Sequence, residues 1–399
     1  MKEAPDILKI LEKDIKIPER VNEKAEEAFR KIYAECEDKG KTANDVKIRS
    51  NGKRRKRTAV YIAAAVIAVS AVTAVAAVLK WSESLSDGLQ ASEEQMKEME
   101  NSGMNTFVGQ SCEDNGVTIT AVQSITDNYY TYLAFKIDGY EIGGGEEPAI
   151  ENVDVTVDGE DNFSWNAGFW DGTVSNNEGE PVTVDGERLK IDENGRVIMN
   201  YVMDDGSMEY RMILFNNEER GYFLNKPIHV EIENLGTSQK ADYIPGIEGR
   251  WSFDWTLGGA DDTLVFEPDM PLGDSGATVK QMEISPLSIM TVYDFPRREV
   301  VEECVDENGK PGTLTRYAEP PEAKGVRLKD GTVIKYLYGG PGGGGYEEED
   351  SDIYLSLLNA DRVLYPEEIE SVLFLKPYDE YGDGLTENDF YEVHLNDMK

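Results

Sequence analysis

The sequence predicts a mainly β protein. It reads as two antiparallel β-sandwich domains behind one membrane-spanning helix, with a small α-helical tail in front. Three observations carry this. Residues 58–79, TAVYIAAAVIAVSAVTAVAAVL, contain no charged side chain. Beyond residue 105, short segments alternate apolar and polar residues, with Asn-Gly or Asp-Gly between many of them. The two sides of the apolar run also carry opposite charge balances.

At about 1.5 Å rise per residue, a helix over 58–79 is roughly 33 Å long, enough to cross a bilayer core. Lys53, Arg54, Arg55, Lys56 and Arg57 directly precede it, and Trp81 follows it. These are expected as membrane-flanking residues, the basic cluster on anionic lipid and the tryptophan at the opposite interface. Residues 1–57 hold 17 Lys and Arg against 12 Asp and Glu, while the whole chain carries a net charge of −38. The positive-inside rule then places the N-terminus in the cytoplasm and the acidic C-terminal bulk outside the cell membrane, in a single pass. With 57 residues before a long apolar run, an uncleaved signal-anchor fits better than a secretory signal. So acidic an exterior is poorly suited to nucleic acid and suits solubility or cationic partners.

In the tail, Ile17-Pro18-Glu19 opens a helix. Val21, Ala25, Ala28, Phe29, Ile32, Tyr33 and Cys36 then recur at steps of three and four along one face. Such a face in so small a segment needs a cover. Val21, Ala25, Phe29, Ile32 and Tyr33 are candidates for docking a cytoplasmic partner. A self-packed helical hairpin, or a helix lying on the bilayer, explains the same pattern.

Residues 80–104 are polar and acidic and read as a membrane-proximal stalk, partly helical. The first β-domain is expected over 105–272. Its candidate strands are 117–122, 130–137, 153–157, 182–184, 197–203, 228–232 and 251–257. The turn dipeptides run from Asn115-Gly116 to Asp205-Gly206 and supply the positive φ angles of tight hairpins. The second β-domain is expected over 273–399, with strands at 278–284, 288–293, 325–328, 332–337, 353–358, 372–375 and 391–395. The glycine run 339–345 reads as a flexible surface loop. It lacks the Lys-Ser/Thr ending of a phosphate loop.

No catalytic constellation stands out, so the chain is not expected to be an enzyme, and neither a cofactor nor a metal site is assigned. The two histidines, His229 and His394, share strand parity with Glu231 and Glu392 and should face solvent. HExxH, CxxC and Ser-elbow motifs are absent. Asp379–Gly384 begins like a calcium loop but has Tyr381 at the third position and Phe390 at the twelfth. Cys112 and Cys304 share the outer side, where a bridge is conceivable, and Cys36 lies on the inner side.

The layout resembles a known family. Ile17-Pro18 opens the tail helix, a basic cluster and one span follow, and then come Val108-Gly109-Gln110-Ser111 and Asn115-Gly116-Val117-Thr118-Ile119. Together these resemble Gram-positive membrane proteins with the domain of unknown function 4179. Gly249-Arg250-Trp251-Ser252-Phe253, Ile284-Ser285-Pro286-Leu287 and Pro366-Glu367-Glu368-Ile369-Glu370-Ser371-Val372 are similar to later parts of the same family. The resemblance implies immunoglobulin-like outer domains and an anti-sigma role, in which residues 1–57 hold a cytoplasmic sigma factor. The tail has no histidine, so it departs from the zinc-type anti-sigma pattern. The alternative is an envelope-anchored binding or structural module without a signalling role. The ligand of the outer domains is not legible in the sequence.

Overall fold

The computed structural model of the chain describes residues 80–192, 197–239, 242–305, 311–348, 351–376 and 385–395, with backbone only at 302–305 and 311. The expected tail helix, the basic cluster and the expected span over 58–79 lie outside the described residues. Among the described residues no helix is long and apolar enough to cross a membrane. The fold is mainly β, and every ladder among the described residues is antiparallel.

Two short helices come first, α1 (Glu83–Ser86) and α2 (Glu93–Ser102). Ser92 and Gln95 cap the N-terminus of α2 reciprocally, and Gly103, at φ 86°, ends it in the left-handed conformation that glycine adopts without strain.

The next twelve strands run to residue 271. They are β1 (Asn105–Asp114), β2 (Val117–Thr126), β3 (Tyr130–Asp138), β4 (Glu147–Val157), β5 (Ser164–Phe169) and β6 (Thr173–Ser175). Then follow β7 (Pro181–Thr183), β8 (Met208–Phe215), β9 (Pro227–Gln239), β10 (Asp242–Thr256), β11 (Leu264–Phe266) and β12 (Met270–Pro271). One sheet has the order β1-β2-β3-β8-β5 and another β10-β9-β4, with β6 and β7 as a separate hairpin. The inward residues of both larger sheets meet in one core. Val117, Ile119, Leu133, Phe135 and Ile137 pack against Val155, Ile228, Val230, Ile232, Trp251 and Phe253. Asn115 and Gly116 both have positive φ, the hairpin geometry expected of that dipeptide between β1 and β2.

The remaining strands are β13 (Thr278–Ile284), β14 (Ser288–Asp294), β15 (Glu299–Val305), β16 (Pro311–Tyr317) and β17 (Ala323–Leu328). After them come β18 (Val333–Ile334), β19 (Gly343–Tyr346), β20 (Ile353–Asn359), β21 (Ile369–Leu375) and β22 (Phe390–His394). One sheet runs β11-β13-β14-β20-β19, with β12 also on β13, and a second runs β18-β17-β21-β22. Their inner faces share a second core built on Val279, Met282, Ile289, Tyr293, Val326, Val372 and Phe374. β15 and β16 form a separate hairpin.

Several expectations need correction. Residues 80–104 are not a free stalk. Trp81, Leu85, Leu89, Met99 and Met104 are buried in a third cluster, with Ile125, Tyr129, Tyr130 and Tyr132 of the first β half and Leu287, Leu357 and Val363 of the second. The apolar residues of this segment are few, but their contacts are with the body of the protein. The expected strand at 197–203 is not formed. Ile191 and Val197 make one isolated bridge, and Ile198, Met199 and Val202 are exposed. The glycine run is not all loop, because Gly343–Tyr346 is β19, paired to β20. The central strand β8 was not foreseen, nor were β1, β5, β15 and β16 as strands.

Candidate functional site

The place where the most polar chemistry converges is the junction between the two β halves. It is built on the turn Asp127-Asn128-Tyr129 between β2 and β3 and the turn Ser285-Pro286-Leu287 between β13 and β14. The Asp127 side chain is buried. Its Oδ1 accepts from the backbone N–H of Tyr129 at 2.8 Å and of Tyr130 at 2.7 Å, which forms the β2–β3 turn. Its Oδ2 accepts from the Ser288 hydroxyl at 2.9 Å and from the Ser285 hydroxyl. Ser285 Oγ in turn accepts from the N–H of Leu287 and Ser288. One carboxylate thus holds a turn from each half. Burial pushes the Asp127 carboxyl up from its ordinary range, and its four hydrogen-bond donors oppose that rise.

Beside it lies an ionic network. Arg220 makes a two-pronged pair with Asp261, at 2.6 and 3.0 Å, and its Nε donates to Glu283 at 2.9 Å. The Glu283 carboxylate also accepts from the Tyr129 hydroxyl at 3.1 Å and from Gln281 at 2.9 Å. Burial pushes the Tyr129 phenol up, so it stays protonated and donates. Asn128 Nδ2 donates to both Asp261 and Thr263 at 2.7 Å. Hydrogen bonds from Arg220, and then from Asn128, hold the Asp261 carboxyl below its ordinary range. Deeper in, the Tyr132 hydroxyl donates to Asn359 Oδ1 and the Tyr130 hydroxyl to the carbonyl of Pro341 at 2.9 Å. The glycine run therefore starts as a strap across the junction. A side chain at Gly339 would collide with the Ala360 carbonyl, so glycine is required there.

The segment from Trp81 is fastened at the same junction. The buried Glu209 of β8 accepts from the N–H of Glu83 at 3.1 Å and of Ser84 at 2.7 Å, at the start of α1. Gln123 accepts from the N–H of Ser82 at 2.8 Å. On the other side, Val363 N–H donates to the Leu89 carbonyl at 2.8 Å, and Gln95 Nε2 donates to the Val363 carbonyl at 2.9 Å. Burial also pushes the Glu209 carboxyl up. Trp81 is buried and donates from Nε1 to Glu100 at 2.8 Å.

Val21, Ala25, Phe29, Ile32 and Tyr33, and Lys53, Arg54, Arg55, Lys56 and Arg57, lie outside the described residues. His229 faces solvent beside Asp254 at 2.9 Å, and His394 is exposed. Cys112 is a free, half-buried thiol, and the Cys304 side chain lies outside the described residues. Among the described residues no group of His, Cys, Asp and Glu is arranged to hold a metal ion. The latch residues Asp127, Ser285 and Ser288 were missed. Ser285 stood within a family-like stretch, but its partner lies 158 positions away.

Residues 50–139 match the family model described as a domain of unknown function (DUF4179). The chain carries the domain of unknown function 4179. The match takes in the basic cluster and apolar run of the sequence, both helices and β1 to β3. The tail from Ile17 and the family-like stretches at 249–253, 284–287 and 366–372 lie beyond it. No curated protein matches. A solved structure, the conserved domain protein from Bacillus anthracis, is 14% identical, with 74% of this chain and 91% of that one covered at a TM-score of 0.35. That likeness is too slight to carry an argument.

Proposed function

We propose that the chain is a single-pass membrane regulator of the anti-sigma kind. Its tail, residues 1–57, holds a cytoplasmic sigma factor through Val21, Ala25, Phe29, Ile32 and Tyr33. Its β halves, read as immunoglobulin-like domains outside the cell, respond to the envelope. No catalytic step is assigned to it. One observation supports the reading above the others. The segment that follows the apolar run is built into both β halves through Glu209, Gln123, Gln95 and the third apolar cluster. A purely anchoring module needs only a tether there. A signalling chain needs a stiff connection, because a change of state is transmitted by elements with discrete packed arrangements.

The test is co-purification of the full-length chain from membranes, beside a Val21→Asp, Phe29→Asp, Ile32→Asp variant. The wild type should recover a sigma factor and the variant should not. Recovery of no transcription factor, with an unchanged transcriptome on deletion, would leave the envelope-anchored module as the better reading.

A further inference from the structure

Strand register on the outer face of the β11-β13-β14-β20-β19 sheet sets up a groove. Glu283, Met290, Leu357 and Gly343 stand opposite one another across four neighbouring strands. Gln281, Val292, Leu355 and Gly345 form the next row. Directly opposed residues share a face, so each row runs from a polar residue, across two apolar ones, to a glycine at the edge. At about 4.8 Å between strands a row is roughly 14 Å long. A cavity of about 190 Å³ lies along the first row, with Tyr129, Glu218 and Arg220 of the other β half as its wall.

The glycines differ in an informative way. A side chain at Gly344 would strike the ring of Tyr354, so packing within the chain explains that residue. At Gly343 and Gly345 an added Cβ would meet open space, and neither has a positive φ. Nothing inside the fold requires glycine at either. Their lack of a side chain leaves the half-buried Leu355 and Met290 reachable from the strand edge, while Leu357 beside them is buried in the third cluster. β19 is also the edge strand of its sheet, where backbone groups can pair with an incoming strand. The wall is anionic: Arg220 is taken up by Asp261 and Glu283, and Glu218 is exposed. Beyond the end of β19, Glu347 and Glu348 are exposed, with Arg297 over the Tyr346 ring and donating to the Glu348 carbonyl at 2.7 Å, on a chain of net charge −38.

We propose that this edge and groove bind an extended peptide segment in which apolar residues alternate with lysine or arginine. The peptide adds as a strand beside β19. Its apolar residues pass over Gly343 and Gly345 onto Leu355 and Met290, and its cationic residues meet Glu218, Glu347 and Glu348. This goes beyond the proposed regulation. It concerns residues 80–399 alone and holds whether or not the tail binds a sigma factor.

The test uses the full chain in zwitterionic nanodiscs and fluorescently labelled synthetic peptides, read by anisotropy. The probe alternates leucine and lysine. The controls are an alternating leucine–glutamate peptide and a leucine–lysine peptide of the same composition with its lysines in one block. The alternating cationic probe should bind saturably, and both controls should bind more weakly. Gly343→Val and Gly345→Val should each weaken it about tenfold by filling the groove mouth, with the melting temperature unchanged. E218Q, E347Q and E348Q together should flatten the salt dependence. Absence of saturable binding to the wild type would overturn the proposal. So would equal binding by the blocked peptide, or valine variants that bind as the wild type does.

Discussion

Asp127 and Glu209 show how single residues organise this molecule. Both are buried carboxylates surrounded by donors rather than cations, and each ties together parts of the chain far apart in sequence. Asp127→Ala strands two backbone N–H groups and two hydroxyls in a buried site. It should weaken the coupling between the two β halves by about 3 kcal/mol, because buried donors left unpaired are expensive. Glu209 makes a separate prediction. Its folded pKa is raised by burial, so the folded state binds its proton more readily than the unfolded state. The stability gained from that proton is fully present below the ordinary glutamate range and is lost as pH rises through the raised value. Melting temperatures of wild type and Glu209→Gln, measured from neutral pH downward, should shift in favour of the wild type on acidification. A constant difference between them would count against a raised Glu209. Neither residue was legible in the sequence. In so acidic a chain nothing marks one carboxylate as buried, and Ser285 and Ser288 of the one and Glu83 and Ser84 of the other stand more than a hundred positions away.

At the scale of elements, alternation was readable where one strand face is wet. β2, β9, β13 and β20 came out near their observed places for that reason. β8 did not, because Met208–Phe215 is covered on both faces and has no period of two. Residues 197–203 fail the other way, since their apolar alternation finds no partner strand. In the α1–α2 segment, helical in part as expected, the acidic composition masks a burial pattern that is present. Trp81, Leu85 and Leu89 are four positions apart, and all three are buried. Leu85→Ala and Leu89→Ala should each cost about 3 kcal/mol, the usual range for emptying a buried leucine site. In hydrogen exchange the double variant should expose residues 83–102 while β9 and β10 stay protected. Loss of protection throughout, with no preference for the helices, would mean that the segment is not a separable clamp.

For the whole molecule, two apolar cores share a third, and the polar latch sits beside it. Calorimetry of the wild type should show residues 80–399 melting in one cooperative transition. Asp127→Ala should split it into two, because the loss falls on the connection and not on either core. What joins the two β halves is not legible in the sequence, since a junction is set by pairs such as Tyr132 with Asn359 that no local pattern records, and β11 and β12, expected with the first half, pair with β13 of the second.

Residues 81–104 are part of the fold, carried by both β halves, and not a loose stalk. Spin labels at Lys97→Cys and Glu267→Cys test it, in a full chain cleared of its native cysteines and held in nanodiscs. One narrow distance distribution is expected in the wild type and a broadened one after Leu85→Ala and Leu89→Ala. A broad wild-type distribution that those substitutions leave unchanged would contradict it.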